Sequence, residues 1–297
     1  MVPGASSRSL LTTLDVEHPE WRPLLAIIDE ALREAEDPGW ARFVPALAQP
    51  GNGGRPLLDG AVIKVAPKFV GRWVRRILEV AAAAGTEVNA LTRAITTGSM
   101  DPLFLFEIAV SQDVHRLGEL ARAVRDERGV LRGLAPLMAR PMLQACRRHW
   151  ADCVPADWAD AHCPICGGDP ALAEVRGLDG SRHLRCGGCG GEWGSAWLRC
   201  PFCGEADHEK LGSLRSPDTL ERQTIEVCEA CRSYVKTVTT LTSIRPEDVV
   251  LQDLATLVLD VAALERGYRR PATSGHGVAV SVVAERSRLR ERLGLRP

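Results

Sequence analysis

The chain is short of several things that would announce a function. Only four of its 297 residues are lysine (Lys64, Lys68, Lys210 and Lys236), and the formal net charge is −1. No basic stripe is present to hold a polyanion, so nucleic acid is not an expected partner. No run reaches the ~18 apolar residues of a membrane-spanning helix; the longest candidate, Pro102 to Val110, is short and interrupted by Glu107. Met1 to Leu14 lacks a basic segment followed by a long apolar one, so no secretory signal is visible and a cytoplasmic, thiol-reducing setting is expected. There is no nucleophile–base arrangement and no phosphate-binding glycine loop, so the chain is not expected to be an enzyme. The positive charge that is present is nearly all arginine, which a compositional bias explains as well as any arginine-specific function.

What the chain has is cysteine, ten in all. Eight of these form four Cys-x-x-Cys pairs within 69 residues: Cys163/Cys166, Cys186/Cys189, Cys200/Cys203 and Cys228/Cys231. A pair spaced by two residues sets both sulfurs on one side of a tight turn and supplies half a tetrahedron, so four pairs are the ligand complement of two four-sulfur metal sites. Glycine follows three of the pairs, at Gly167, Gly190 and Gly204, where positive φ lets the backbone N–H groups turn toward sulfur. Proline follows the first cysteine at Pro164 and Pro201 and fixes φ there. This Cys-Pro-x-Cys-Gly turn is the knuckle of rubredoxins and zinc ribbons alike. The fourth pair, with Glu229, Ala230 and Arg232, carries neither signal, and a less regular turn is expected.

Nineteen residues separate Cys166 from Cys186 and 24 separate Cys203 from Cys228. Such spacings suit two successive ribbons, Cys163, Cys166, Cys186 and Cys189 in the first and Cys200, Cys203, Cys228 and Cys231 in the second. Interleaved pairing is also compatible, but sequential pairing needs only local loop closure and is preferred. Disulfides do not suit a reducing compartment, and thioredoxin-like redox chemistry needs a single Cys-x-x-Cys at a helix N-terminus. His162, His183 and His208 are not needed as ligands once eight cysteines are counted. Cys146 and Cys153 are read as ordinary helix or loop residues.

Around the cysteines the texture changes twice. Apolar spacing of helical type runs over Trp21–Ala35, Val62–Ala83, Pro102–Arg125 and Leu131–Trp150, with turn residues at Gln49–Pro56 between them. Short alternating stretches then appear at Leu172–Arg176, His183–Arg185, Glu192–Arg199, Leu211–Arg215, Thr224–Val227 and Tyr234–Thr240. Helical spacing returns after Pro246, through Val250, Leu254, Leu257, Val258, Val261 and Leu264. The expected architecture is α+β and multidomain. An all-α domain occupies 1–160, rubredoxin-like or zinc-ribbon modules 161–199 and 200–243, and a C-terminal helix packing back 244–271. The tail 272–297 is expected to be a short exposed helix or disordered. Trp193 and Trp197 are read as cross-strand packing, whereas Glu226, Tyr234 and Lys236 suit structure and partner contact equally.

The sequence resembles the formate dehydrogenase accessory protein (FdhE) family. The resemblance is carried by His162-Cys163-Pro164-Ile165-Cys166-Gly167, Arg182-His183-Leu184-Arg185-Cys186-Gly187-Gly188-Cys189 with Glu192-Trp193, and Arg199-Cys200-Pro201-Phe202-Cys203-Gly204. It continues in Glu226-Val227-Cys228-Glu229-Ala230-Cys231-Arg232-Ser233-Tyr234-Val235-Lys236, in Asp253-Leu254-Ala255-Thr256-Leu257, Leu259-Asp260 and Glu265-Arg266-Gly267-Tyr268, and near the start in Pro19-Glu20-Trp21-Arg22-Pro23-Leu24. It spans about residues 15 to 270 and does not include the tail. It implies a cytoplasmic factor that binds the catalytic (alpha) subunit of a respiratory, molybdenum-dependent formate dehydrogenase and supports its activation before or alongside twin-arginine export. It also implies rubredoxin-like iron at the two four-cysteine sites, with zinc as the alternative. An electron-transfer protein and a nucleic-acid-binding zinc ribbon are the competing classes.

Overall fold

A computed structural model describes residues 7–47, 54–126, 129–215, 222–270 and 278–285. The N-terminal part is built from helices α1 (Ser7–Glu17), α2 (Arg22–Ala35), α3 (Pro67–Ala83), α4 (Asn89–Thr96), α5 (Pro102–Ser111), α6 (Val114–Ala123) and α7 (Val130–Trp150). Each amphipathic helix turns its apolar stripe inward, as Leu25, Ile28, Ala31, Leu32 and Ala35 do on α2. α7 is buried along most of its length despite Pro136 and Pro141, and the Trp73 Nε1–H donates to its Met138 carbonyl at 2.8 Å.

This part is not all helical. The expected helix over Val62–Ala83 begins only at Pro67, and Val62–Val65 is strand β1, with Ile63 and Val65 buried and Val62 and Lys64 outward. A two-residue alternation governs those four positions, and Pro67 then sits in the first helical turn, where its missing N–H costs nothing. The partner of β1 is parallel strand β8 (Ser281–Ala284), in the segment expected to be an exposed helix or disordered. The Val282 N–H also donates to Glu107, so a carboxylate and a strand edge hold β8 in place. The remainder of that tail, and Gln49–Gly53 of the turn segment, lie outside the described residues. The expected Pro102–Arg125 helix is cut at Gln112, whose φ of +55° closes α5, and Asp113 caps α6.

The cysteine region forms one six-stranded sheet from β2 (Pro170–Arg176), β3 (Ser181–Cys186), β4 (Glu192–Gly194), β5 (Leu211–Leu214), β6 (Gln223–Cys228) and β7 (Tyr234–Thr240), in the order β4-β3-β2-β7-β6-β5. Each half repeats one plan: knuckle, hairpin, knuckle, strand. The halves meet head to tail, because β2 opens the first and pairs in parallel with β7, which closes the second, in the register Leu172↔Lys236 to Arg176↔Thr240. The two ribbons expected as separate modules therefore share one sheet, since β2 and β7 each present an open edge that the other satisfies.

The expected C-terminal helix is two, α8 (Val249–Ala255) and α9 (Leu257–Glu265), broken at Thr256. They serve different halves. Leu251 of α8 joins the main core, whereas Leu259, Ala262 and Ala263 of α9 pack on Ile225, Val227 and Tyr234 of the second half in a smaller core of their own.

Candidate metal centre

The four knuckles share one backbone turn. In each, the N–H of the first cysteine donates to the carbonyl five residues on: Cys163 to Gly168, Cys186 to Gly191, Cys200 to Glu205 and Cys228 to Ser233, at 2.8–3.0 Å. The residue after the second cysteine is left-handed every time, with φ of +73°, +75° and +75° at Gly167, Gly190 and Gly204. At the fourth knuckle Arg232 takes the position with φ +56°. The first three turns also close with that residue's N–H donating to the first cysteine's carbonyl at 2.9–3.1 Å, a bond the fourth does not make, so it is left-handed without glycine but less regular, as expected. Its guanidinium lies 4.2 Å from the Tyr268 ring centroid and donates to the Arg266 carbonyl at 2.9 Å, which anchors the strained residue to the end of α9. Gly190 is required for a second reason: a Cβ there would stand 2.1 Å from the Pro246 carbonyl oxygen.

Eight sulfurs meet as two tetrads, Cys163, Cys166, Cys186 and Cys189, and Cys200, Cys203, Cys228 and Cys231, each with its sulfurs within 4.8 Å of one another. Pairing is sequential. Across the tetrads, Cys163 and Cys189 are 3.6 Å apart, Cys166 and Cys186 3.4 Å, and Cys200–Cys231 and Cys203–Cys228 both 3.7 Å. A tetrahedron with metal–sulfur bonds of about 2.3 Å has edges of about 3.8 Å, so the residues fit a metal ion at the centre of each.

Sulfur charge points the same way. Burial pushes the Cys163 and Cys200 thiols up, while hydrogen bonds from the neighbouring thiols, Cys163 first, pull Cys186 down. Four clustered thiols shed their protons together only when a cation takes up the charge. The N–H groups of Gly188 and Cys189 point at the Cys186 sulfur at 3.3 and 3.4 Å, and that of Gly191 at the Cys189 sulfur at 3.3 Å.

The two centres differ in setting. All four sulfur-bearing residues of the first are buried and belong to the main core, beneath α7. Gln112 reaches across from the end of α5 to donate to the Cys166 carbonyl at 2.7 Å. In the second, Cys203 is exposed and Cys231 half-buried, and Cys200 lines two clefts, of about 460 and 370 Å³, that share Arg199, Pro201 and Phe202.

Ionic networks hold both centres in place. Glu174, fully buried on β2, accepts from Arg185 and from Thr240, each at 2.9 Å, and from the Ile244 N–H, also at 2.9 Å. Arg185 in turn donates to the Gly190 carbonyl of the second knuckle at 3.2 Å. On β7, Lys236 meets Asp253 and Asp260, each at 2.7 Å, and Tyr234 donates to Asp260 at 2.6 Å. Glu226 pairs with the buried Arg182 at 2.7 Å. For Tyr234 and Lys236, both buried, the structure settles the question left open by the sequence in favour of a structural part. Nothing in the sequence marks Glu174, Arg185, Asp253 and Asp260 as network partners, because only the sheet register and the packing of α8 and α9 on it bring them together.

Neither tetrad includes His162, His183 or His208. Cys146 is buried with its thiol pushed up by burial, and Cys153 is exposed and apart from both. Trp193 packs inside and donates to the Asp160 carbonyl, whereas Trp197 is half exposed and donates to that of Gly180.

The molecule is thus an α+β protein with two four-cysteine clusters that could each bind a metal ion, embedded in one sheet and backed by helices. Residues 198–275 match the family described as FdhE, C-terminal domain. Proteins named Protein FdhE homolog are similar over part of the chain: that of Haemophilus influenzae Rd is 32% identical over 111 residues (37% of this chain, 36% of the relative). Those of Pseudomonas aeruginosa and Shewanella oneidensis are 33% and 35% identical over 114 and 108 residues, again 36% of this chain and 37% and 35% of theirs. The matched segment spans little more than a third of the length of these relatives. The crystal structure of the FdhE protein from Pseudomonas aeruginosa shares the fold at a TM-score of 0.53 and 22% identity, over 92% of this chain and 94% of that one. These findings bear out the resemblance read from the sequence: the chain is similar to FdhE proteins, and residues 198–275 match the FdhE C-terminal domain.

Proposed function

We propose that the protein is a cytoplasmic, metal-binding accessory factor that binds the catalytic subunit of a molybdenum-dependent formate dehydrogenase and supports its maturation. The observation that carries this is the match of residues 198–275 to the FdhE C-terminal domain, a span that holds the whole second tetrad. In this reading Cys163, Cys166, Cys186 and Cys189 hold one ion and Cys200, Cys203, Cys228 and Cys231 a second. Iron is the metal proposed and zinc the alternative, since a tetrahedral four-sulfur set suits both. The metal cross-links distant knuckles and so folds them; the protein itself performs no catalysis. The helical part up to about residue 160, the knuckle units 161–199 and 200–243, and the closing segment 244–271 are its working divisions.

No helix among the described residues is long and apolar enough to cross a membrane. The test of the client is co-purification: the tagged chain, expressed beside a formate dehydrogenase catalytic subunit, retains that subunit through a salt wash. Repeated recovery of the chain without it overturns the reading.

The exposure of Cys203 favours one second reading, electron transfer through iron in the second centre. Outer-sphere exchange needs the metal near the surface, which only this centre offers. Reversible bleaching of a visible thiolate-to-iron band by a redox partner is its requirement.

A further inference from the structure

Arg140, on the inner face of α7, is 1% exposed. One of its nitrogens donates to the Gly187 carbonyl at 2.7 Å, in the turn between Cys186 and Cys189. Nε and the other terminal nitrogen have no hydrogen-bond partner, and among the described residues no carboxylate pairs with it. A buried guanidinium without an anion is an expensive arrangement, and folded proteins carry buried charges paired or not at all.

The group it grips is the turn between Cys186 and Cys189, so the charge on offer there is that of the first tetrad's sulfurs once they hold a metal. Burial pulls the Arg140 pKa down, and these cysteines, with Asp253 after them, oppose that. Asp253 is already shared by Lys236 and Arg270, at 2.7 and 2.5 Å. Four thiolates around a divalent cation leave two negative charges buried in the main core, and the buried Arg185 on the same knuckle is already held by Glu174 and Glu192.

We propose that Arg140 is the counter-ion of the first four-cysteine centre, binding its metal–tetrathiolate unit from outside the ligand set. This rests on the metal reading above. It gives the first centre a property the second lacks: α7 and the centre stabilise each other through charge, so metal loss strands a cation in the core.

The test compares Arg140→Met and Arg140→Lys with the wild-type full-length chain loaded with zinc, and follows metal release to a competing chelator by native mass spectrometry. Arg140→Met lowers the zinc affinity of the first centre by about 10–100-fold, the usual cost of losing a partner outside the ligand shell, and leaves the second centre unchanged. Arg140→Lys, which keeps the charge, stays closer to wild type. Urea unfolding adds a sign: Arg140→Met lowers the midpoint of the metal-loaded protein and raises that of the metal-free one, where the cation is uncompensated. A guanidinium that only packs and binds Gly187 lowers both midpoints and leaves metal release unchanged, and that result overturns the proposal. If Arg140→Met does not fold, Arg140→Lys decides alone, since near-wild-type retention supports the charge and loss from the first centre overturns it. A wild type that takes up no zinc at the first centre overturns the metal reading itself and this inference with it.

Discussion

Lys236 Nζ lies 2.7 Å from the Asp260 Oδ2, and both side chains are buried or nearly so. The strand that leaves the last knuckle is thereby bound to α9, the helix that covers the second half of the sheet. Breaking a buried pair by removing one member leaves the other uncompensated and costs about 3–5 kcal/mol. Lys236→Met should therefore destabilise the protein by about 3 kcal/mol, because Arg270 is then the one cation left to Asp253 and Asp260 among the described residues, with the Tyr234 hydroxyl on Asp260. Urea midpoints read this directly, and a change under about 1 kcal/mol, the scale of an exposed pair, would show that Arg270 suffices.

The same cluster sets an acid limit. Burial pushes the Asp253 carboxyl up, but Lys236 and then Arg270 outweigh it and hold it below the usual aspartate value. A carboxyl depressed in the folded state contributes stability that is present above its unfolded pKa of about 3.9 and disappears as pH falls through the folded value. The stability gap between wild type and Asp253→Asn should be full at about pH 7 and shrink below about pH 4. Acid loss of metal is common to both proteins and cancels in the comparison. A gap that stays constant down to about pH 3 would contradict the assignment.

At Arg232 the backbone and the side chain pull in opposite directions. A non-glycine residue held left-handed costs on the order of 1 kcal/mol, while its guanidinium ties the knuckle to Tyr268 and the end of α9. Arg232→Ala loses the contacts and keeps the strain; Arg232→Gly loses the contacts and sheds it. Thermal unfolding should rank wild type and Arg232→Gly above Arg232→Ala, the two variants differing by about 1 kcal/mol. Equal stability of the two variants would mean the turn relaxes once the contacts are gone.

The chemistry of the site was legible because a knuckle is local: two cysteines, a proline and a glycine within five residues carry both ligand geometry and turn. The longer helices and most strands of the sheet followed from period alone, whereas the helices Ser7–Glu17 and Asn89–Thr96 did not. What was hidden is non-local. Nothing in Leu172 or Lys236 advertises that their strands pair in parallel, and Val62–Val65 meets Ser281–Ala284 from the other end of the chain. Arg232 hid the fourth turn by supplying left-handed backbone without glycine. Arg140 reads as one more arginine on a helix until the fold sets it against the Cys186 knuckle.

The unequal burial of the tetrads predicts an order of loss. Chelator should strip the second centre first, through exposed Cys203 and half-buried Cys231, and the first only as the core opens. Mass spectrometry of alkylated protein should find Cys203 and Cys231 labelled while Cys163, Cys166, Cys186 and Cys189 are still protected. Simultaneous labelling of all eight would show that the shared sheet makes the centres one unit.

The central claim is that each tetrad holds its own metal ion, and metal analysis of the anaerobically purified chain beside Cys200→Ser and Cys163→Ser tests it most directly. The account predicts two ions per chain in the wild type. Cys200→Ser retains one ion in the first centre, and Cys163→Ser loses the ion of the first centre together with much of the core's stability. A folded wild-type chain carrying no bound metal, with all eight paired cysteines free to react as thiols, would contradict it.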